Sequence, residues 1–281
     1  MASNLADPLA HLRGLFDRGK DFTPTSVSEF IEGTPRNSMP RWLWRGQTRF
    51  ADPVPAIDRK DAAKMWLPDR GRRTAREQLA LDHFIRLARP LISSPPATVG
   101  AIWEWMAIAR HYGVPTRLLD WTDNALAALY FAVEEPNGNK DSVVFGLQAE
   151  LPDASRWEST NSAGLGVYRP PHLAARIGAQ ASVFTVHPDD FCQHNPETAE
   201  PLASWPDAWP GHKMRITIPA AHRVKIRSDL LDLGIHRYSM FLDLDGAGVH
   251  VRREYFGQED MDSPFDIAQQ FKRLFPTKES V

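Results

Sequence analysis

A polar run set inside an apolar frame constrains this chain more than any other stretch. It reads His111-Tyr-Gly-Val-Pro-Thr-Arg-Leu-Leu-Asp-Trp-Thr122 and continues into the apolar Ala125 to Val133. Thr116, Arg117, Asp120, Trp121 and Thr122 fall between Val114 and Leu126, where a fold alone has no need of them. A buried polar group without a partner costs roughly 1–3 kcal/mol. The segment therefore either builds an internal hydrogen-bond network or lines a pocket for a polar ligand.

Composition bounds the rest. A chain of 281 residues with 42% hydrophobic content can bury a sizeable core. Its formal charge of −2 excludes a global basic field for nucleic acid but leaves room for a local patch. Cys192 is the one cysteine, so no intrachain disulfide forms and a cytoplasmic address is expected. The first residues carry no signal-peptide pattern, and no stretch nears the ~20 apolar residues of a membrane span. No membrane partner is expected. Nine Trp and 23 Pro point to long ordered connections and a Trp-filled core rather than a plain helical bundle.

Periodicity predicts helices over 1–20, from Ser26, over Ala75 to Ala88, Thr98 to His111, Asn124 to Val133, Ser228 to Leu233 and Phe265 to Phe275. On the Ala75 helix, Leu79, His83, Phe84 and Leu87 form the expected apolar side. Strands are predicted at Arg41 to Gln47, Ser142 to Gln148, Gln180 to His187, Met214 to Ile218 and His222 to Ile226, and a turn with a short strand over Gly113 to Thr122. In the first, Arg41, Leu43 and Arg45 share one face, and Trp42 and Trp44 the other. Arg70, Arg72, Arg73 and Arg76 form a basic cluster, read as a solvated helix start with phosphate contact as the alternative. The mix predicts an α+β fold: a helical segment over 1–35 and a domain over 36–281, forming one unit.

Three blocks resemble the FRG domain family, named for a Phe-Arg-Gly motif. They are Trp44-Arg45-Gly46-Gln47, with Trp in place of Phe; His111 to Thr122 with Ala127 to Ala132; and Arg176-Ile-Gly-Ala-Gln180 leading to Phe184-Thr-Val-His187. Phe241-Leu-Asp-Leu-Asp-Gly246 resembles the family's closing motif. The order of these blocks also looks like the ADP-ribosyltransferase layout. That resemblance implies a core of short twisted strands with an N-terminal helical elaboration, and NAD as substrate. Arg45 and Gly46 on a first strand would hold NAD. A residue of the second strand would shape the nicotinamide pocket ahead of a helix, and a Glu on a later strand would complete the site.

Cleavage of the nicotinamide–ribose bond passes through an oxocarbenium-like state. Such a site must clamp a pyrophosphate, hold a carboxamide and stabilise positive charge beside a sugar. The planar fork of Arg45 suits phosphate or ribose oxygens. The Gly46 backbone could meet the carboxamide without side-chain interference. Gln47 and His111 fall in the same blocks. Thr116, Arg117 and Thr122 could supply donors, and Tyr112 or Trp121 could stack on nicotinamide. Gln180 stands where the resemblance asks for Glu; it can bond a ribose hydroxyl but offers no negative charge. Either Asp120, Asp243 or Asp245 supplies that charge, or the acceptor needs no strong base, or the nucleotide is bound and not turned over.

The expected function is NAD-dependent ADP-ribosyl transfer, with Arg45, Gln180 and Asp120 as catalytic candidates and no metal. A toxin or antiphage defence effector is the expected setting, by association alone. Nucleic acid or protein is the expected acceptor, and a cognate antitoxin or inhibitor a further partner. Bland readings stand beside these: Arg117 pairs with Asp120 to lock the loop, His111 caps its helix, Trp121 is core, and Asp243 to Gly246 is an acidic turn. Two other functions remain open. One is a noncatalytic nucleotide- or nucleic-acid-binding module. The other is a metal-dependent nuclease using Asp243, Asp245, Glu77 or Asp120.

Overall fold

Among the described residues, six strands form one sheet in the order β4-β5-β2-β1-β3-β6. The computed structural model describes residues 22–35, 40–49, 51–65, 71–97, 101–134, 139–157, 164–171, 179–188 and 209–256. The strands are β1 (Leu43–Gln47), β2 (Leu118–Thr122), β3 (Ser142–Gln148), β4 (Gly166–Tyr168), β5 (Ser182–Val186) and β6 (His212–Ile218). Neighbouring strands run antiparallel. The helices are α1 (Val27–Gly33), α2 (Lys60–Ala63), α3 (Gly71–Ala88), α4 (Ala101–His111), α5 (Ala125–Val133), α6 (Arg223–Asp232), α7 (Arg237–Phe241) and α8 (Leu244–Phe256). The α+β class predicted above is observed. Among the described residues no helix is long and apolar enough to cross a membrane.

Strand alternation divides the core. Trp42 and Trp44 share a face with Val144 and Ile216 and pack under α5. Leu118, Phe184 and Val186 continue that face under α4, with Trp103 and Trp105. Leu43, Leu119, Trp121, Phe145 and Val183 point the other way, onto Trp209. The Trp42 and Trp44 rings stack 5.5 Å apart, and the space they fill lies over Gly146, where a Cβ would stand 2.8 Å from the Trp44 ring.

β1 and β2 meet at one register pair, Trp44 with Thr122. Beyond it, β1 stays paired with β3 through Gln47, while β2 stays paired with β5 through Leu118. The sheet thus splits between Arg45–Gln47 and Leu118–Trp121. This split positions the candidate site.

Some expectations fail for physical reasons. On α3, Leu79 is 70% exposed and Leu87 62%. The inward residues are Arg73, Glu77, Leu81 and Ala88, because two of them hold buried ion pairs. Arg73 donates from Nε and Nη2 to the two carboxylate oxygens of Asp58, each at 2.8 Å. It is therefore no part of a solvated cluster. His222 to Ile226 is not a strand: Arg223, Ile226 and Leu230 are buried at helical spacing on α6. Asp243 is not on a strand; it accepts from Gly246 N at 2.7 Å at the start of α8. The expected helices over 1–20 and 265–275, Arg70, Arg176 to Gly178, Cys192, and the Asp245 side chain lie outside the described residues.

Candidate functional site

The split in the sheet opens into a cavity of about 1300 Å³. β1 contributes Arg45, Gly46 and Gln47, β2 contributes Asp120, Trp121 and Thr122, and Gln180 and Ser182 come from the start of β5. Arg110 and His111 reach it from the end of α4, Phe131 and Glu134 from α5, and Phe241 from α7. Arg49, Arg59 and Lys60 line it from the connection after β1. Five basic side chains (Arg45, Arg49, Arg59, Lys60, Arg110) face three acidic ones (Asp52, Asp120, Glu134), in a chain whose formal charge is −2.

The Arg45 side chain is 12% exposed, less than that of Arg110 at 17%. Its Nε donates to Gln47 Oε1 at 3.0 Å and its Nη1 to the Asp120 carbonyl at 2.7 Å. Among the described residues nothing accepts from its Nη2. Desolvation pushes the Arg45 pKa down to about 10; Asp120 opposes this, and Arg59 and Arg110 add to it. The group still carries its charge at neutral pH. Arg59 is pushed down in the same way, first by desolvation and then by Arg110.

The Asp120 carboxylate takes two bonds from Arg110, at 3.1 Å from Nε and 2.7 Å from Nη2. Desolvation works to raise its pKa, but Arg110 and then Arg45 outweigh it and hold the carboxyl below its ordinary value. Asp120 is therefore an ionised spacer between two cations rather than a base.

The polar run divides by residue. Thr116 and Arg117 belong to an internal network and not to the cavity. Arg117 pairs with Glu77 of α3 (Nε to Oε2, 2.6 Å) rather than with Asp120, and its backbone N–H donates to Glu77 Oε1, also at 2.6 Å. Thr116 is fully buried, and its hydroxyl accepts from Leu118 N. Arg73 and Glu77, four apart on α3, clamp Asp58 and Arg117 respectively. The first clamp fixes the chain at Arg59, and the second fixes the entry to β2. Tyr112 is 72% exposed and does not line the cavity. Trp121 borders the cavity, but its indole is core: Nε1 donates to Thr185 Oγ1 at 2.8 Å and the ring packs on Trp209.

Gly46 also has another reason than the one expected. A Cβ there would overlap the Ala128 carbonyl oxygen and stand 2.8 Å from Ala132 N. The missing side chain lets α5 lie on β1; its backbone borders the cavity as well.

Thr122 Oγ1 donates to the Gln180 carbonyl at 2.7 Å and accepts from Asn124 N. Asn124 then caps α5, its side chain accepting from Leu126 N and Ala127 N. Gln180 donates from Nε2 to the Met240 carbonyl at 3.1 Å. Arg45, Thr122 and Gln180, expected from three separate blocks, line one cavity. Sequence reasoning missed Arg49, Arg59, Lys60, Arg110, Phe131, Glu134 and Phe241. Arg110 directly precedes His111 and could have been read from the block itself. The Arg59-Lys60 pair offered only its charge.

The described carboxylates of the nuclease reading, Glu77, Asp120 and Asp243, do not converge. Glu77 is held by Arg117, Asp120 by Arg110, and Asp243 starts α8. Among the described residues no three His, Cys, Asp or Glu side chains gather as a metal site. Residues 40–141 match the model of the family described as FRG domain. No curated protein and no solved structure matches the chain.

Proposed function

We propose that this chain, which carries an FRG domain over residues 40–141, binds NAD in the cavity between β1 and β2 and transfers its ADP-ribose to a macromolecule. One observation carries the reading: five basic side chains against three acidic ones line one cavity in a chain of net negative charge. Such a site suits a ligand with a compact double negative charge, and the pyrophosphate of a dinucleotide has it. The cavity volume of about 1300 Å³ has room for the rest of NAD.

Arg45 is the pyrophosphate or ribose clamp, with its Nη2 as the available donor. Gln47 and Asp120 hold Arg45 in place, and Arg110, bound to Asp120, adds to the local charge. In transfer, the bond between ribose C1′ and the nicotinamide nitrogen breaks, and the electron pair neutralises the pyridinium ring. The acceptor's nucleophile bonds to C1′ and gives up its proton. The protein's part is alignment and charge placement. Gln180 can accept a ribose hydroxyl through Oε1 while its Nε2 is engaged.

A noncatalytic nucleotide-binding module is the second reading. It is favoured by the engagement of Asp120 with Arg110, which leaves that carboxylate no role as a base. Nucleic acid or protein is the proposed acceptor, and a toxin or defence role with a cognate inhibitor the proposed setting.

Purified protein is incubated with NAD labelled in its adenylate part, together with DNA, RNA and lysate protein separately. Arg45→Ala runs alongside. Label on one pool, lost in the variant, supports transfer and names the acceptor class. No label on any pool, with NAD still bound, moves the function to the binding module.

A further inference from the structure

Position 180 presents an amide where a carboxylate was expected, and what it faces explains the difference. The Gln180 side chain meets the main-chain carbonyl of Met240, in α7, at 3.1 Å. A carbonyl only accepts, so its partner must donate, and the amide nitrogen is the only donor on that side chain. An ionised Glu in the same place would set oxygen against oxygen. We infer that Gln180 is a positioning residue that locks α7 across the cavity, and that the position holds glutamine because α7 offers it a carbonyl.

Besides the burial of Met240 in the core, further contacts tie α7 to α5 and to Glu134 at its end. Arg237 Nη1 donates to Glu134 Oε1 at 3.1 Å. Phe241 meets Phe131 edge to face, with ring centres 6.1 Å apart. Phe131, Glu134 and Phe241 all line the cavity, so the docked helix is one of its walls.

The backbone on both sides of the Gln180–Met240 bond is held in an uncommon conformation. Ala181 has φ +45° and Leu242 φ +42°, the non-glycine residues in the left-handed region among those described. Such residues persist where surrounding bonds over-determine them, and they gather at functional sites. Here Thr122 Oγ1 fixes the Gln180 carbonyl at 2.7 Å and Asp123 N fixes that of Ala181 at 3.2 Å. Leu242 N donates to Tyr238 O at 2.9 Å, ending α7. Gln180 is thus anchored to β2 by its main chain and to α7 by its side chain. A ligand that lies against Thr122 and Gln180 feels the docking of α7 directly.

The inference deepens the NAD reading and rests on it for what fills the cavity; the docking of α7 can be read with no ligand present. The test is backbone hydrogen exchange at Met240 and Leu242, whose amides bond within α7. Wild type, Gln180→Glu and Gln180→Ala are compared at pH 7.5 and pH 4, corrected for the intrinsic pH dependence of exchange. Amides of β3 report global folding. Wild type at each pH accounts for the other titrating and charged groups around α7: Glu134 with Arg237, His236 against His250, and Asp243.

The expected result is at least tenfold loss of protection at α7 in Gln180→Glu at pH 7.5. Protection should return toward wild type at pH 4, below the ordinary Glu pKa of about 4.3, where a protonated carboxyl can donate to Met240 O. Gln180→Ala should stay unprotected at both. Wild-type protection in Gln180→Glu at pH 7.5, or equal loss at both pH values, overturns the inference. ADP-ribose affinity, measured on the same proteins, should fall in step with lost protection. Unchanged affinity with α7 undocked overturns its role as a wall. Failure of wild type to bind ADP-ribose at all would strike the NAD reading and leave the exchange result on Gln180 intact.

Discussion

Asp120 receives the Arg110 guanidinium through Nε and Nη2 on a single oxygen, Oδ2, with the Arg45 Nη1 3.6 Å from the same atom. One carboxylate oxygen thus organises two cations from different elements at the mouth of the split sheet. Without it, Arg45 and Arg110 would face each other uncompensated.

The first prediction follows from that charge. The folded Asp120 carboxyl titrates below its ordinary value of 3.8. A depressed carboxylate stabilises the fold above its unfolded pKa, and the contribution is lost as pH falls through the folded pKa. The side chain is 40% exposed, so screening limits the effect to about 1 kcal/mol or less. Asp120→Asn should be less stable than wild type at pH 7, with the gap closing below about pH 4. Urea titrations at several pH values measure it; a gap independent of pH would show that Asp120 acts by packing and not by charge.

A second prediction concerns the buried clamps of α3. Arg117 and Glu77 side chains are 2% and 3% exposed. Removing one partner leaves the other charge buried, which costs about 3–5 kcal/mol. Glu77→Ala and Arg117→Ala should each lose that much in chemical denaturation. The folded fraction should keep its nucleotide affinity within a few-fold, because neither residue lines the cavity. A stability change under about 1 kcal/mol would contradict the clamp.

Gly46 supplies a third. Its Cβ would run into main-chain atoms of α5, which cannot rotate away. Overpacking of this kind costs roughly 1–3 kcal/mol, and more where the backbone must move. Gly46→Ala should lower the denaturation midpoint and loosen β1 from α5. An alanine variant as stable as wild type would mean that α5 can shift freely.

His187 gives a pH dependence of opposite origin. It is fully buried, with Nε2 2.8 Å from the Thr185 hydroxyl. Burial first, then Arg73 and Arg45, push its pKa well below 6.5. The folded state keeps this imidazole neutral while the unfolded chain protonates near pH 6.5. Stability should therefore fall as pH drops below about 6.5, by up to about 1.4 kcal/mol per pH unit from this group. His187→Gln, which keeps an acceptor, should flatten that slope between pH 6.5 and 5. An unchanged slope would assign the acid sensitivity to other groups.

Local signals in the sequence located much of the fold. The apolar run Ser142 to Gln148 is a strand with those bounds, and the helix expected from Asn124 is α5, with Asn124 as its cap. Gly113, at φ +86°, ends α4 as a glycine in that position should. The failures are long-range. Val224 and Ile226 alternate like a strand, yet Val224 is exposed and Ile226 packs beside Leu230 on a helix. Glu77 and Arg117 are forty residues apart, and nothing local marks them as a pair. Arg59 owes its place to Asp58 beside it, which is locked to Arg73 fifteen residues on, and no local signal marks that pair. Gln180 was legible as a departure from Glu, but its reason lies sixty residues away at Met240.

The measurement that tests the central claim most directly is calorimetric titration of NAD and ADP-ribose into the wild-type protein, Arg45→Ala and Arg110→Ala. All three must first give the same circular dichroism spectrum. The account predicts saturable binding to wild type that weakens at least tenfold in Arg45→Ala, falls also in Arg110→Ala, and declines with added salt. No binding to the wild-type protein, or equal binding to all three, would contradict it.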